Sequence, residues 1–167
     1  FEEIRAQRQL ELDLPGGHAF VSALRRAGAV GDAVLPIDRR MTRTARAALV
    51  ERMGAARVVD AEGRHTVGHG RPVEPGDGLV IATSGSTGEP KGAMLTHCNL
   101  IASATAMTQV LPFGETDRLL SVLPLSHLYE QVLGFIGPLI VGASVVYPVS
   151  RQPAVLIRTF RDYKVSV

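Results

Sequence analysis

Residues 79–92 have the sequence LVIATSGSTGEPKG, and this stretch decides the fold. The first four residues are apolar and predict a buried strand. The remaining residues, 83–92, are dominated by glycine and by hydroxyl side chains, which predicts a loop that leaves the strand. On both sides of this stretch, short apolar strands alternate with helical patterns. The alternation predicts an α/β fold, with a parallel-rich sheet flanked by helices.

The elements around this stretch follow from hydrophobic spacing, helix caps and breakers. Helices are predicted over residues 2–12 (on the surface), 19–27, 42–53, from 96 onward, 127–135 and 153 to about 161. Strands are predicted over 33–37, 57–60, 79–82, 118–123, 144–147 and 163–167. Thr42 is predicted to cap the helix over 42–53 and Gly54 to end it. Its predicted inner face consists of Ala45, Ala48, Leu49 and Met53.

The composition excludes several classes of protein. The 167 residues are 46% hydrophobic and 20% charged, with a net charge of +2, which excludes intrinsic disorder and argues against a nucleic-acid partner. The single cysteine, Cys98, excludes an internal disulfide framework. The first residues do not form a signal-peptide pattern, and we expect a cytoplasmic protein.

Charge is distributed unevenly along the chain. Residues 1–78 carry 23 charged side chains, whereas the 89 residues from 79 to 167 carry only 11. A free-standing domain spreads charge over its surface, so we expect the chain to be a segment of a longer enzyme. Residues 131–150 are uncharged, but Gly134, Gly137 and Pro138 interrupt them, so no transmembrane segment is predicted.

The loop over 83–92 has the chemistry of a polyphosphate site. Its three glycines allow close approach of the backbone, and its amides and hydroxyls supply many hydrogen-bond donors. The chain contains 16 arginines and only two lysines, Lys91 and Lys164, and one of those lysines lies in this loop. A flexible ammonium can follow phosphates that shift during a reaction better than a rigid guanidinium can. The spacing is neither that of a Walker P-loop nor that of a nucleophile elbow. The alternative is a surface loop rich in turn-forming residues.

Two segments carry a resemblance to a known family. Residues 82–99, ATSGSTGEPKGAMLTHCN, closely resemble the phosphate loop of the acyl-adenylate-forming (AMP-binding) superfamily. Residues 123–130, LPLSHLYE, resemble a downstream motif of the long-chain fatty acyl-CoA synthetases. Residues 34–38 and 57–60 are similar to strands upstream of the loop. The resemblance implies part of the large N-terminal domain, with 1–78 as its upstream portion, 79–167 as the loop and following portion, and the C-terminal domain absent.

The resemblance also implies a reaction. A carboxylic acid, expected to be a fatty acid, attacks the α-phosphate of ATP to give acyl-AMP and pyrophosphate, and a thioester with coenzyme A follows. Implied phosphate-binding residues are Thr83, Ser84, Gly85, Ser86, Thr87, Gly88 and Lys91. His127 is implied to lie beside the acyl carboxylate, the alternative being a histidine that caps its own helix. Open alternatives are an aromatic or small acid, a carrier protein as acceptor, and a non-catalytic nucleotide-binding relic.

Other polar residues carry no pattern that assigns them a functional role. Glu130 is expected to be solvated, and Tyr129 fits either an acyl pocket or the core. His65 and His69 lack further ligands for a metal, so no metal site is predicted within the chain. The resemblance implies that the ligands for Mg²⁺ and adenine, and the lysine of a mobile C-terminal domain, lie outside these residues. The polypeptide over 1–167 is therefore expected to be catalytically silent alone.

Overall fold

The computed structural model describes residues 9–12, 16–68, 70–84 and 90–167, with 9–12 and 84 described by their backbone. The chain divides into two compact units, the first ending at His97 and the second beginning at Cys98. Both units combine strands with helices, so the predicted α/β class is confirmed. In the described part of the chain, no helix has the length and hydrophobicity required to cross a bilayer.

The first unit is built on a six-stranded sheet. Its strands are β1 (Gln9–Leu12), β2 (Ala33–Pro36), β3 (Arg57–Asp60), β4 (Gly63–Thr66), β5 (Asp77–Ser84) and β6 (Pro90–Thr96). They lie in the order β4-β3-β1-β2-β5-β6. The four central strands pair in parallel, whereas β4 and β6 pair antiparallel at the two edges. The sheet is thus parallel in its centre, as the sequence predicts.

Two helices of the first unit are confirmed, α2 with its predicted cap and end and α1 longer than the predicted 19–27. Helix α1 (His18–Ala29) buries Phe20, Ala23 and Ala27. Helix α2 (Arg43–Met53) follows Thr42, whose hydroxyl accepts a hydrogen bond from the Ala45 amide, and ends at Gly54 in the left-handed region with φ 71°. Leu49 and Met53 of α2 join Ala33, Leu35, Ile37 and Val80 in the core of the unit.

The second unit contains a two-stranded parallel sheet. Strand β7 (Arg118–Leu120) pairs with β8 (Ser144–Val146). Its helical segments are α3 (His97–Val110), α4 (Leu128–Gln131), a π-helical turn (Val132–Ile136), α5 (Gly137–Val141) and α6 (Pro153–Asp162). A small core forms around Phe113, Leu119 and Ala143. The proline at the start of α6 lies in its first turn, as predicted.

Several predicted elements are wrong, and tertiary pairing explains most of them. The surface helix predicted over 2–12 is instead strand β1 at residues 9–12, because β2 and β3 pair with it on both sides. The rest of that predicted helix lies outside the described residues. Strands β4 and β6 were not predicted, since neither has an alternating apolar pattern. In α2, Ala45 and Ala48 are exposed rather than inward.

The predicted strand over 163–167 is wrong, because residues 163 and 164 form a turn and residues 165–167 belong to no helix or strand. The amides of Ser166 and Val167 donate to the Arg118 carbonyl, and the Leu120 amide donates to the Val167 carbonyl. Val165 is buried. The segment therefore lies beside β7 and is bonded to it, although it is not assigned as a strand.

Candidate functional site

Strands β5 and β6 form an antiparallel hairpin whose connection is the glycine-rich loop. In their register Thr83 lies opposite Lys91, and Ser84 lies opposite Pro90. The Thr83 hydroxyl donates to the Lys91 carbonyl over 3.2 Å. Cross-strand partners project to the same face of a sheet, so a hydroxyl and an ammonium share one face at the base of this loop.

The side chain of Lys91 is exposed, and among the described residues no carboxylate forms an ion pair with it. Its charge is therefore not neutralised by those neighbours. Arg52, in the last turn of α2, donates from Nε to the Pro90 carbonyl over 2.9 Å. A groove beside the hairpin is lined by the cations Arg52, Arg71 and Lys91, by the carboxylate of Glu51, and by apolar side chains that include Met53, Val80 and Met94. Three cations and one carboxylate thus line one groove next to the loop.

The remaining predicted loop residues cannot be compared with the structure in the same way. Gly85, Ser86, Thr87 and Gly88 lie outside the described residues, as does the side chain of Ser84. Their roles stay predictions. Of the predicted phosphate-binding set, the structure brings Thr83 and Lys91 together, on facing strands.

His127 belongs to the second unit, where it precedes α4. Its backbone is extended, with φ −91° and ψ 132°, and it occupies the N-cap position. The His127 amide donates to the Pro124 carbonyl over 3.0 Å, and its carbonyl accepts from the Gln131 amide over 3.1 Å. The imidazole is exposed and makes no capping hydrogen bond. The helix-capping alternative therefore has no side-chain hydrogen bond to support it.

Glu130 is buried, and the expectation that it is solvated is wrong. It is only 4% exposed, although it lies in a short helix whose preceding residues are exposed. Its carboxylate accepts hydrogen bonds from the Ser121 hydroxyl and from the Leu123 backbone. Burial raises the pKa of Glu130, while those bonds and the charges of Arg151 and His127 pull it down. Glu130 is the last residue of the LPLSHLYE motif, but its burial is visible only in the structure.

The side chain of Gln131 and the hydroxyl oxygen of the half-buried Tyr147 are also buried in this region. Gln131 is 1% exposed and donates from Nε2 to the Leu125 carbonyl. The Tyr147 hydroxyl has no hydrogen-bond partner within the described part of the chain. Burial and the charge of Glu130 together raise the pKa of Tyr147 to about 12, so the phenol stays neutral at physiological pH. This buried polar cluster was not predicted.

Near the β3–β4 turn, potential ligand atoms of Asp60, Glu62 and His65 lie within 4.8 Å of one another. The Glu62 and Gly63 amides donate to the Asp60 carboxylate over 2.9 and 3.1 Å, and His65 Nε2 lies 3.2 Å from the same oxygen. His65 thus pairs with an aspartate, and His69 lies outside the described residues. These contacts are those of an exposed tight turn.

Comparison with known proteins gives the family. The model of the AMP-binding enzyme family matches residues 33–167. A sulfoacetate–CoA ligase of Cupriavidus necator is 46% identical over 70 residues, which is 42% of this chain and 14% of the ligase. The peroxisomal long chain acyl-CoA synthetase 7 of Arabidopsis thaliana is 41% identical over 86 residues, which is 49% of this chain and 12% of the synthetase.

Solved structures share the fold over almost the whole chain. o-Succinylbenzoate CoA synthetase of Bacillus subtilis, in complex with its acyl-adenylate intermediate, matches with a TM-score of 0.79 at 19% identity, covering 98% of this chain and 49% of that one. The nonribosomal peptide synthetase FmoA3 bound to α-methyl-L-serine-AMP matches at 0.76 and 26% identity, covering 98% and 21%. The chain therefore spans about half the length, or less, of these two proteins. The chain belongs to the AMP-binding enzyme family.

Proposed function

We propose that the complete protein containing this chain is an acid–CoA ligase, which activates a carboxylic acid with ATP. A carboxylate oxygen attacks the α-phosphorus, an oxygen–phosphorus bond forms, and the bond to the bridging oxygen breaks. Pyrophosphate leaves with the electron pair, and acyl-AMP remains. The coenzyme A thiol then attacks the acyl carbon, releasing AMP and giving its proton to solvent.

The observation that carries this proposal is the β5–β6 hairpin, with Thr83 opposite Lys91 at the base of the glycine-rich loop. The donor set fits a polyphosphate, because hydroxyls, amides and an ammonium that is not ion-paired to the described carboxylates all suit anionic oxygens. In this proposal Thr83, Ser84, Gly85, Ser86, Thr87, Gly88 and Lys91 hold the β- and γ-phosphates, and the Thr83 hydroxyl exchanges its bond to the Lys91 carbonyl for one to the ligand. Donors that meet the developing charge on pyrophosphate lower the barrier, and no protein nucleophile is needed.

His127 is proposed to lie beside the acyl carboxylate. Its exposed imidazole makes no helix-capping hydrogen bond, and its backbone amide and carbonyl are both hydrogen-bonded. An exposed ring on a firmly held backbone can orient a carboxylate without itself reacting. We therefore assign it a role in acid placement.

A fatty acid is the proposed substrate. The LPLSHLYE motif and the long-chain acyl-CoA synthetase of Arabidopsis thaliana support it. The sulfoacetate–CoA ligase of Cupriavidus necator favours a small acid as the second candidate. The peptide synthetase FmoA3 favours a carrier protein as a second candidate acceptor.

Mg²⁺ and adenine are proposed to be bound by residues outside this chain. A cytoplasmic location is also part of the proposal.

The experiment is ATP–pyrophosphate exchange by the complete enzyme with acids of different length and polarity. Exchange with one acid class supports the proposal, and no exchange with any acid would overturn it. Replacing Lys91 by alanine is expected to lower exchange about 100- to 1000-fold, because one preorganised charged donor is lost. The matched control is Lys164→Ala, which removes the other lysine, in the second unit, and should leave exchange unchanged.

A further inference from the structure

We propose that Glu130 is a positioning residue. Its carboxylate accepts hydrogen bonds from polar groups of the segment over residues 121–127, and these bonds fix His127 at the start of α4. This inference rests on the proposed function, since it assigns a role to His127 in acid placement. It concerns the second unit alone, where all of the contacts lie.

Side chains of α4 form hydrogen bonds to the segment that follows β7, and we call these hydrogen bonds tethers. Glu130 accepts from the Ser121 hydroxyl and the Leu123 backbone, while its neighbour Gln131 donates to the Leu125 carbonyl. Ser121 is itself anchored, because its amide donates to the Val146 carbonyl of β8 over 3.0 Å. The side chains of Glu130 and Gln131, which are neighbours in α4, therefore form hydrogen bonds to residues 121, 123 and 125 of the segment that follows β7.

The second step is where the segment ends. Its last residue, His127, donates its amide to Pro124 and accepts from the Gln131 amide through its carbonyl. The backbone of His127 is therefore fixed from both directions, while its imidazole stays exposed. An exposed side chain on an anchored backbone is suited to meeting a ligand in a defined place.

The third step is the burial of the carboxylate. Glu130 is 4% exposed, and the π-helical turn that follows brings Gly134 against it, so close that a Cβ at Gly134 would collide with the carboxylate oxygens. π-helical turns are frequent at functional sites. A buried carboxylate is costly unless its bonds are satisfied, and a purely apolar side chain would pack there at less cost. The tethers give a reason for a glutamate at this position.

The test is a double-mutant cycle in the complete enzyme, read by the rate of acyl-adenylate formation. Glu130→Ala is expected to lower kcat about 10- to 100-fold, because a misplaced group at a reacting centre can cost about that much in rate. The KM for ATP should change less than twofold. In a His127→Ala background the same substitution should cost less than threefold, because its effect passes through His127. An equal loss in both backgrounds, or a change in the KM for ATP alone, would overturn the proposal.

Further variants separate positioning from folding. Glu130→Gln keeps the length and an acceptor oxygen, and should restore most of the rate lost in Glu130→Ala. If Glu130→Ala fails to fold, Ser121→Ala removes one tether and enters the same cycle with the same expected dependence on His127. If the unaltered enzyme activates no acid, the proposed function fails, and the imidazole resonances still test the inference. Ser121→Ala, which removes one hydrogen bond to Glu130 without changing any charge, should then shift the signal of His127 and not that of His18, and an unmoved His127 signal would refute the positioning role.

Discussion

Two candidate functional parts of the chain, one in each compact unit, are built in opposite ways. At the hairpin base, Thr83 and Lys91 are exposed, and the described carboxylates leave Lys91 without an ion pair. In α4, Glu130 and Gln131 are buried and hydrogen-bonded, whereas His127, at the N-cap of this helix, is exposed. The first part offers charge directly to a ligand, whereas the second uses buried polar groups to place one exposed ring. Substitutions should therefore lower the free energy of unfolding more in the second part than in the first.

The largest expected effect on stability concerns Gln131. Its replacement by alanine should lower the free energy of unfolding by about 3 kcal/mol, because it leaves a cavity and an unsatisfied Leu125 carbonyl. Urea unfolding followed by circular dichroism measures this. The matched control is Gln152→Ala, an exposed glutamine that makes no capping bond with its side chain and should change stability by less than about 0.5 kcal/mol. Equal losses in the two variants would remove the distinction between buried and exposed parts.

A smaller effect is expected at the hairpin base. Arg52→Met removes the donor to the Pro90 carbonyl and should cost about 1 kcal/mol, the net contribution of an ordinary hydrogen bond. Thermal unfolding measures the loss, with Arg158→Met, on an exposed position of α6, as the control. If Arg52→Met also lowers ATP–pyrophosphate exchange while Arg158→Met does not, the hairpin depends on this tether. Unchanged stability and exchange would show that the bond to Pro90 is dispensable.

The smallest expected effect is a pH dependence. Because burial raises the pKa of Glu130 in the folded protein, its contribution to stability is present at low pH and is lost as pH rises through the folded pKa. Glu130→Gln does not titrate. The free energy of unfolding of the unaltered protein, minus that of Glu130→Gln, should therefore fall between acidic and neutral pH. A difference that rises over this range would contradict the direction of the shift.

The sequence predicts the hairpin loop better than the region around α4, and the reason is physical. The hairpin loop is local: glycines, hydroxyls and the rare lysine lie within ten residues, so composition alone indicates anion binding. Helix α2 is equally local, because Thr42 and Gly54 mark its ends. Each of these features needs only near neighbours in the chain.

Features that depend on distant contacts were missed. Strand β1 has only four residues, QLEL, and follows a charged stretch, yet it lies between two strands that pair with it. Strand β6 was assigned to loop because only its pairing with β5 makes it a strand. Glu130 was expected to be solvated because its charge is visible in the sequence while Ser121, Leu123 and Gly134 around it are not recognisable as its partners. Burial of a polar group is a property of the fold and cannot be obtained from local pattern.

The most direct test of the central claim is hydrogen exchange of the complete enzyme with and without a saturating non-hydrolysable ATP analogue. If the β5–β6 hairpin holds the phosphates, amides in peptides covering residues 83–92 should exchange more slowly with the analogue, because bonded or buried amides exchange only on opening. Peptides covering 121–131 should change little, since that part is proposed to meet the acid. Unchanged exchange over 83–92 at saturation would contradict the account.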